Sequence, residues 1–236
     1  MILRPAPARL PSGRRVYAVG DIHGCLDRLR ALHALIAADL AARPVAGALL
    51  VHLGDYVDRG PDSAGVVALL LAGDPVPGLP TVNLLGNHER TMAEALTTLG
   101  PAATDWMIAG GREALASWGG DPDAPRATWP GCVPAAHLAF LHGLAVNHRE
   151  GGYLFVHAGI RPGVALGAQS VQDMVGIRSA FLYSEVDFGV VVVHGHTPKS
   201  APVLRPNRIG IDTGAVFGGP LTCVALEADR MGFLSA

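Results

Sequence analysis

Five short stretches of this sequence gather the residues that can do chemistry. They read "GDIHG" (Gly20 to Gly24), "GDYVDRG" (Gly54 to Gly60), "GNHER" (Gly86 to Arg90), "VHAG" (Val156 to Gly159) and "HGHT" (His194 to Thr197). Together they hold Asp21, His23, Asp55, Asp58, Asn87, His88, His157, His194 and His196. Brought to one place without a cation, these side chains would repel one another and leave polar groups unsatisfied. Mixed carboxylate and imidazole donors suit borderline divalent ions such as manganese, iron or zinc, not calcium. The set is too large for one tetrahedral zinc. It fits two ions that share a carboxylate, an arrangement that yields hydroxide near neutral pH and clamps a phosphoryl group during in-line displacement.

The flanking elements explain how the five stretches could meet. "RRVYAVG", "GALLVHLG" and "LPTVNLLG" have strand character, and each runs directly into one of the first three clusters. "LDRLRALHALIAADLAA", "SAGVVALLLAG" and "ERTMAEALTTLG" have helical spacing and follow them. Strands alternating with helices predict a parallel sheet buried on both faces, with ligands at the carboxyl ends of its strands. After residue 150 the chain turns to strands: "GYLFVHAG", "FGVVVVHGH", "NRIGIDTG" and "LTCVALEA". The expected fold is α/β, with two packed sheets, helices outside and a helical insert over one edge at about 101–150. The stretch "DPDAPRATWPG" inside that insert reads as a loop.

Composition sets the outer bounds. The chain has 236 residues, half of them hydrophobic, and a formal net charge of −2. That is enough apolar material for one large domain, and the absence of a basic excess disfavours nucleic acid as partner. Cys25, Cys132 and Cys223 form no CxxC pair, which fits a reducing compartment. No apolar run is long enough for a membrane span, and the N-terminus has no signal-peptide pattern. A soluble cytoplasmic protein is the expectation.

"GDIHG", "GDYVDRG" and "GNHE", in this order and spacing, resemble the phosphoprotein phosphatase branch of the calcineurin-like metallophosphoesterases. Bacterial and bacteriophage members are most similar, and the resemblance runs from about Val16 to Glu227. It implies a metallophosphoesterase sandwich of two mixed sheets flanked by helices, in one domain spanning 1–236. It implies two divalent metal ions, manganese first, with iron, zinc or nickel as alternatives. Asp21 and His23 would bind the first metal, Asp55 would bridge, and Asn87, His157 and His196 would complete the second. His88 would be the general acid, oriented by Asp58. Arg59 and Arg178 would clamp the phosphate. Arg178 stands in "MVGIRSAFL", where Gly176 occupies the position of a family Trp. The implied reaction is in-line attack by a metal-bridging hydroxide on a phosphomonoester, with phosphoserine and phosphothreonine proteins foremost. A symmetrical diadenosine tetraphosphate hydrolase uses the same centre and is the alternative. A nuclease is disfavoured because Pro198 stands where such enzymes place another ligand.

The remaining polar residues receive quieter expectations. His194 lies two positions before His196 and is expected as a neighbour lining the site, not as a ligand. Asp212 in "IGIDTG" is expected as a turn carboxylate. Cys25 is expected to pack at a helix start. His33, His52, His137, His142 and His148 are assigned no functional part.

Overall fold

The computed structural model describes residues 1–236. A first sheet contains β1 (Arg4–Pro5), β2 (Arg14–Val19), β3 (Gly47–His52), β4 (Thr81–Asn83), β10 (Thr222–Glu227) and β11 (Arg230–Ser235), in the spatial order β1-β11-β10-β2-β3-β4. β2, β3 and β4 are parallel, while β10 runs antiparallel to β2. A second sheet has the order β5 (Asn147–Glu150), β6 (Tyr153–Val156), β7 (Val191–His194), β9 (Arg208–Gly210) and β8 (Val203–Arg205). There β6, β7 and β9 are parallel. The α/β fold of two mixed sheets is therefore as expected. β1, β5, β8 and β11 were not foreseen; they are edge strands or antiparallel returns, too short or too polar to announce themselves.

Side-chain alternation sorts each strand into two cores. Val16 and Ala18 of β2, with Leu49 and Val51 of β3, pack between the sheets against Phe155, Val193 and Ile209. Tyr17, Val19 and Leu50 point the other way, toward α1 (Leu26–Ala42), α2 (Ser63–Leu71) and α3 (Asn87–Thr98). On the outer face of the second sheet, Leu154, Val156 and Val192 meet Met174 of α7 (Val171–Gly176) and Phe181 of α8 (Ser179–Leu182). α1 buries Leu26, Leu29, Leu32, His33 and Ile36, a stripe of helical period. His33 donates from Nε2 to His52 Nε2 at 2.9 Å, and His52 donates from Nδ1 to Asn83 Oδ1 at 2.7 Å. Burial holds both histidines neutral, which ties α1 to β3 and β4 without a charge.

Between α3 and β5 the chain is helical: α4 (Pro101–Trp106), a π-helical turn (Met107–Gly111), α5 (Arg112–Ser117) and α6 (Ala135–His142). The helical segment ends short of residue 150, because Asn147–Glu150 pair with β6. The stretch expected as a loop contains a 3₁₀ turn at Arg126–Cys132, anchored by buried Trp129 edge-on to Trp106 at 6.2 Å. The apolar anchor outweighed the Pro and Gly signals. No helix is long and apolar enough to cross a membrane.

Candidate metal centre and active site

The carboxyl ends of β2, β3 and β4 and those of β6 and β7 meet at one rim. A polar cavity of about 180 Å³ opens there, lined by Asp21, His23, Asp55, Arg59, Asn87, His88, Arg178, His196 and Asp212 among others. His157 lies beneath it, fully buried. Two clusters of ligand atoms form around a common carboxylate: His23, Asp55 and His88, and Asp55, His157 and His196. Asp55 Oδ2 is 3.5 Å from His23 Nε2, 3.3 Å from His157 Nε2 and 4.0 Å from His88 Nε2. Asn87 Oδ1 lies 3.1 Å from His157 Nε2. Asp21 shares the cavity but joins neither cluster; its carboxylate accepts the His196 N–H at 3.0 and 3.1 Å.

The backbone aims these side chains by local strain. Eight non-glycine residues have positive φ, and five are His23, Asp55, Asp58, Arg59 and His196. Each such residue costs about 1–3 kcal/mol, so the concentration at one site is informative. Neighbouring groups hold the conformations. Asp55 O accepts N–H bonds from Ile22 and His23 at 3.0 and 2.7 Å. The buried Glu89 carboxylate accepts from the N–H groups of Asp55, Tyr56, Val57 and Gly86 at 2.7–3.2 Å. Burial and Asp55 raise the pKa of Glu89 to about 7. Glu89 was given no role from sequence, although its position in "GNHE" was visible.

The donor set fits a pair of divalent cations. His23 Nδ1 faces Val57 O at 2.8 Å and His157 Nδ1 faces Leu53 O at 3.0 Å. A carbonyl only accepts, so both rings carry a proton on Nδ1 and turn Nε2 toward Asp55; His23 Nε2 accepts from Arg59 Nη1 at 2.7 Å, a bond that a metal ion there would replace. His196 Nε2 is buried with no partner at all. His157 Nε2 faces two oxygens, which call for a proton or a cation. Burial disfavours a charge on His157, but Asp55 outweighs it and holds the pKa up at about 10. Asp55 is held well below the usual carboxylate range; burial opposes this, and His157 and His88 prevail.

Above the clusters, His88 Nδ1 lies 2.6 Å from Asp58 Oδ2. Burial opposes a charge on His88, yet Asp55 and Asp58 outweigh it and raise its pKa. Asp58 Oδ1 in turn accepts from Trp106 Nε1 at 2.8 Å. Gly110 (φ +115°) lets the π-helical turn approach Arg59, whose N–H donates to Gly110 O at 3.0 Å. A Cβ on Gly110 would fall 2.5 Å from that nitrogen. The helical segment therefore holds both Asp58 and Arg59, a function sequence reasoning missed because it spans 48 and 51 positions. "WMIAGG" was the only signal.

Two expectations need correction. His194 does not line this cavity. It continues the outward face of Val190 and Val192, and its ring packs edge-on against Phe181 at 5.1 Å. The rule that i and i+2 share a side fails because His196 has left-handed backbone (φ +66°), which turns its ring to the rim. Asp212 is more than a turn carboxylate. It accepts from Gly214 N at 2.9 Å, but it also faces the cavity and, after burial itself, is the main cause of the raised pKa of Asp21. Cys25 sits at the start of α1, outside the cavity, as expected. Arg178 precedes α8 and lines the cavity even though Gly176 replaces the family Trp.

Residues 14–225 match the family described as calcineurin-like phosphoesterases. The chain belongs to that family. Serine/threonine-protein phosphatase 1 of Salmonella typhimurium is 30% identical over 225 residues, covering 91% of this chain and 93% of its own. A symmetrical bis(5′-nucleosyl)-tetraphosphatase of Dechloromonas aromatica is 31% identical over 285 aligned positions, covering 92% and 94%. A solved structure provisionally named a diadenosine tetraphosphatase superposes with a TM-score of 0.67 at 21% identity, over 97% of this chain and 98% of its own; it attests the fold. The chain is thus a metallophosphoesterase whose Asp and His clusters accord with two divalent metals.

Two outcomes follow. Manganese added at pH 8 to chelator-treated protein releases protons, because a metal at His157 Nε2 must displace the proton that the raised pKa retains. Affinity rises with pH toward about 10. Calorimetry in buffers of different ionisation enthalpy reads the release; heats that do not vary with buffer would contradict it. Trp106→Phe lowers kcat about 10- to 100-fold, the worth of one hydrogen bond to a charged group. KM stays nearly unchanged, because no substrate contact is lost. A KM effect larger than the kcat effect would place Trp106 at the substrate instead.

Proposed function

We propose that this chain is a dinuclear metal-dependent phosphomonoesterase that acts as a protein serine/threonine phosphatase. The observation that carries the metal-dependent part is the single Asp55 carboxylate shared by two imidazole clusters beneath Arg59 and Arg178. Asp21, His23 and Asp55 are assigned to one ion, and Asp55, Asn87, His157 and His196 to the other. Two divalent ions, manganese first, would supply an acidified water and neutralise phosphoryl charge.

The chain's own groups do the rest. Arg59 and Arg178 stand at the same cavity and offer planar guanidinium forks to the phosphoryl oxygens. His88 delivers a proton from Nε2 to the leaving oxygen while Nδ1 is held by Asp58. Asp55 and Asp58 raise the pKa of His88 against the effect of burial, which favours the protonated form that an acid needs. The cavity admits a phosphoryl group, and exposed Phe217 stands at its mouth, 5.6 Å from the Arg59 guanidinium.

The choice of substrate rests on a difference in alignment. The phosphatase relative aligns over 225 positions, close to the length of the aligned chain. The tetraphosphatase alignment of 285 positions exceeds the whole 236-residue chain, so that relative carries segments absent here. This favours the phosphatase reading over that of a symmetrical tetraphosphatase. A phosphoserine peptide and diadenosine tetraphosphate, assayed side by side, test it. We expect the higher kcat/KM on the peptide, and a clear preference for the dinucleotide would reverse the assignment.

Metal content tests the roles. His88→Asn retains both metals and loses most turnover on poorly activated monoesters; loss of a metal would make His88 a ligand, as its place beside His23 and Asp55 also permits. His196→Ala loses one metal and His194→Ala loses none. Equal metal content in those two variants would undo the division of the pair.

A further inference from the structure

A second cavity of about 820 Å³ lies on the other side of the segment His194–Lys199. That segment is a shared wall. His196 and Pro198 face the candidate active site, whereas His194, Thr197 and Lys199 face the second cavity. The family motifs and the proposed mechanism use nothing on that side.

The second cavity is cationic. Lys199, Arg205 and Arg208 line it, against a single acid, Glu185. None of the three cations forms an ion pair with a carboxylate. For exposed Lys199 and Arg205 this is ordinary, but Arg208 is only 8% exposed. Its Nη atoms donate to Leu182 O, Ser184 O and Asn207 Oδ1 and its guanidinium lies 6.0 Å from the Phe181 ring, but no carboxylate meets its charge and Nε has no partner. A buried guanidinium in that state is costly unless an anion completes it.

A second orphan lies in the same wall. His194 is 3% exposed, and its Nδ1 donates to Gly195 O at 3.1 Å, so Nε2 is an acceptor. Nε2 is buried with no partner. Gly210 beside it carries no side chain, where a Cβ would lie 3.1 Å from Nε2, and both residues line the cavity. The wall therefore asks for an anionic acceptor and a hydroxyl or amine donor together. Water satisfies one hydrogen bond of each kind but carries no charge. Exposed Tyr183 at the rim adds an aromatic face, and the volume falls in the range of small-molecule sites, about 300–1,000 Å³.

We propose that this cavity binds a phosphorylated small molecule of nucleotide size, with its phosphate at Lys199, Arg205 and Arg208 and a hydroxyl or amine on His194 Nε2. The site is separate from the catalytic one and does not depend on the substrate assigned there. The test is calorimetric titration of the full chain with adenosine 5′-monophosphate and, in parallel, with inorganic phosphate. Arg59→Ala/Arg178→Ala serves as background, so that phosphate binding at the catalytic cavity is suppressed. We expect one saturable site for the nucleotide at millimolar concentration or below, with phosphate at least about tenfold weaker. Adding Lys199→Ala/Arg205→Ala weakens nucleotide binding by about tenfold or more. In the otherwise native chain that exposed pair leaves p-nitrophenyl phosphate turnover unchanged. No saturable binding in the background variant means that the cavity holds only water and overturns the proposal. Binding indifferent to Lys199 and Arg205, or equal affinity for phosphate and nucleotide, overturns it as well.

Discussion

Asp55 is a buried carboxylate that must answer to both sheets at once. His23 reaches it from the loop after β2, His88 from the first turn of α3, and His157 from the end of β6. A buried charge is tolerated only when its partners are close and well aimed. That requirement brings the carboxyl ends of two parallel strand sets to the same rim. Its backbone carbonyl is equally engaged, since the N–H groups of Ile22 and His23 both donate to it. The loop after β2 and the loop after β3 are consequently one unit, and a cation or a proton at His157 completes it.

The unit is strained, and other parts of the fold offset the strain. Left-handed backbone at His23, Asp55, Asp58 and Arg59 falls within two adjoining loops. Glu89 supports it by accepting four backbone N–H bonds from inside the protein. A carboxylate suits this position because it accepts at every lone pair and donates nowhere. Beneath lies a cluster of 29 buried hydrophobic residues shared by α1, α2, α3 and the helical segment. The helical segment is thus more than a cover. Trp106 fills the cluster with its ring and orients Asp58 with its N–H.

Much of the architecture was legible because it depends on local pattern. Strand runs such as "RRVYAV" and "GALLVH" lead into Asp21 and Asp55, and the interleaved helices dictate parallel strands. α1 occupies the residues its periodicity marks, Leu26–Ala42. The less legible parts depend on contacts distant in sequence. Trp106 and Asp58, Gly110 and Arg59, Glu89 and Asp55 are coupled across 48, 51 and 34 positions, and no local signal announces such pairs. The 3₁₀ turn around Trp129 arose the same way, through a partner ring on α4.

The two histidines of "HGHT" divide these contributions. Sequence by itself determined that the donor set of a metallophosphoesterase was present, because residue types and their order carry the family motifs. It could not assign His194 and His196 to sides, since the two-residue repeat holds only while the backbone stays extended. The tertiary structure decided that. β7 ends at His194, whose ring stays with the outer face of the sheet, and the left-handed turn at His196 sends the next imidazole to the rim. One segment of six residues thereby serves two cavities, a property of its backbone angles and not of its composition.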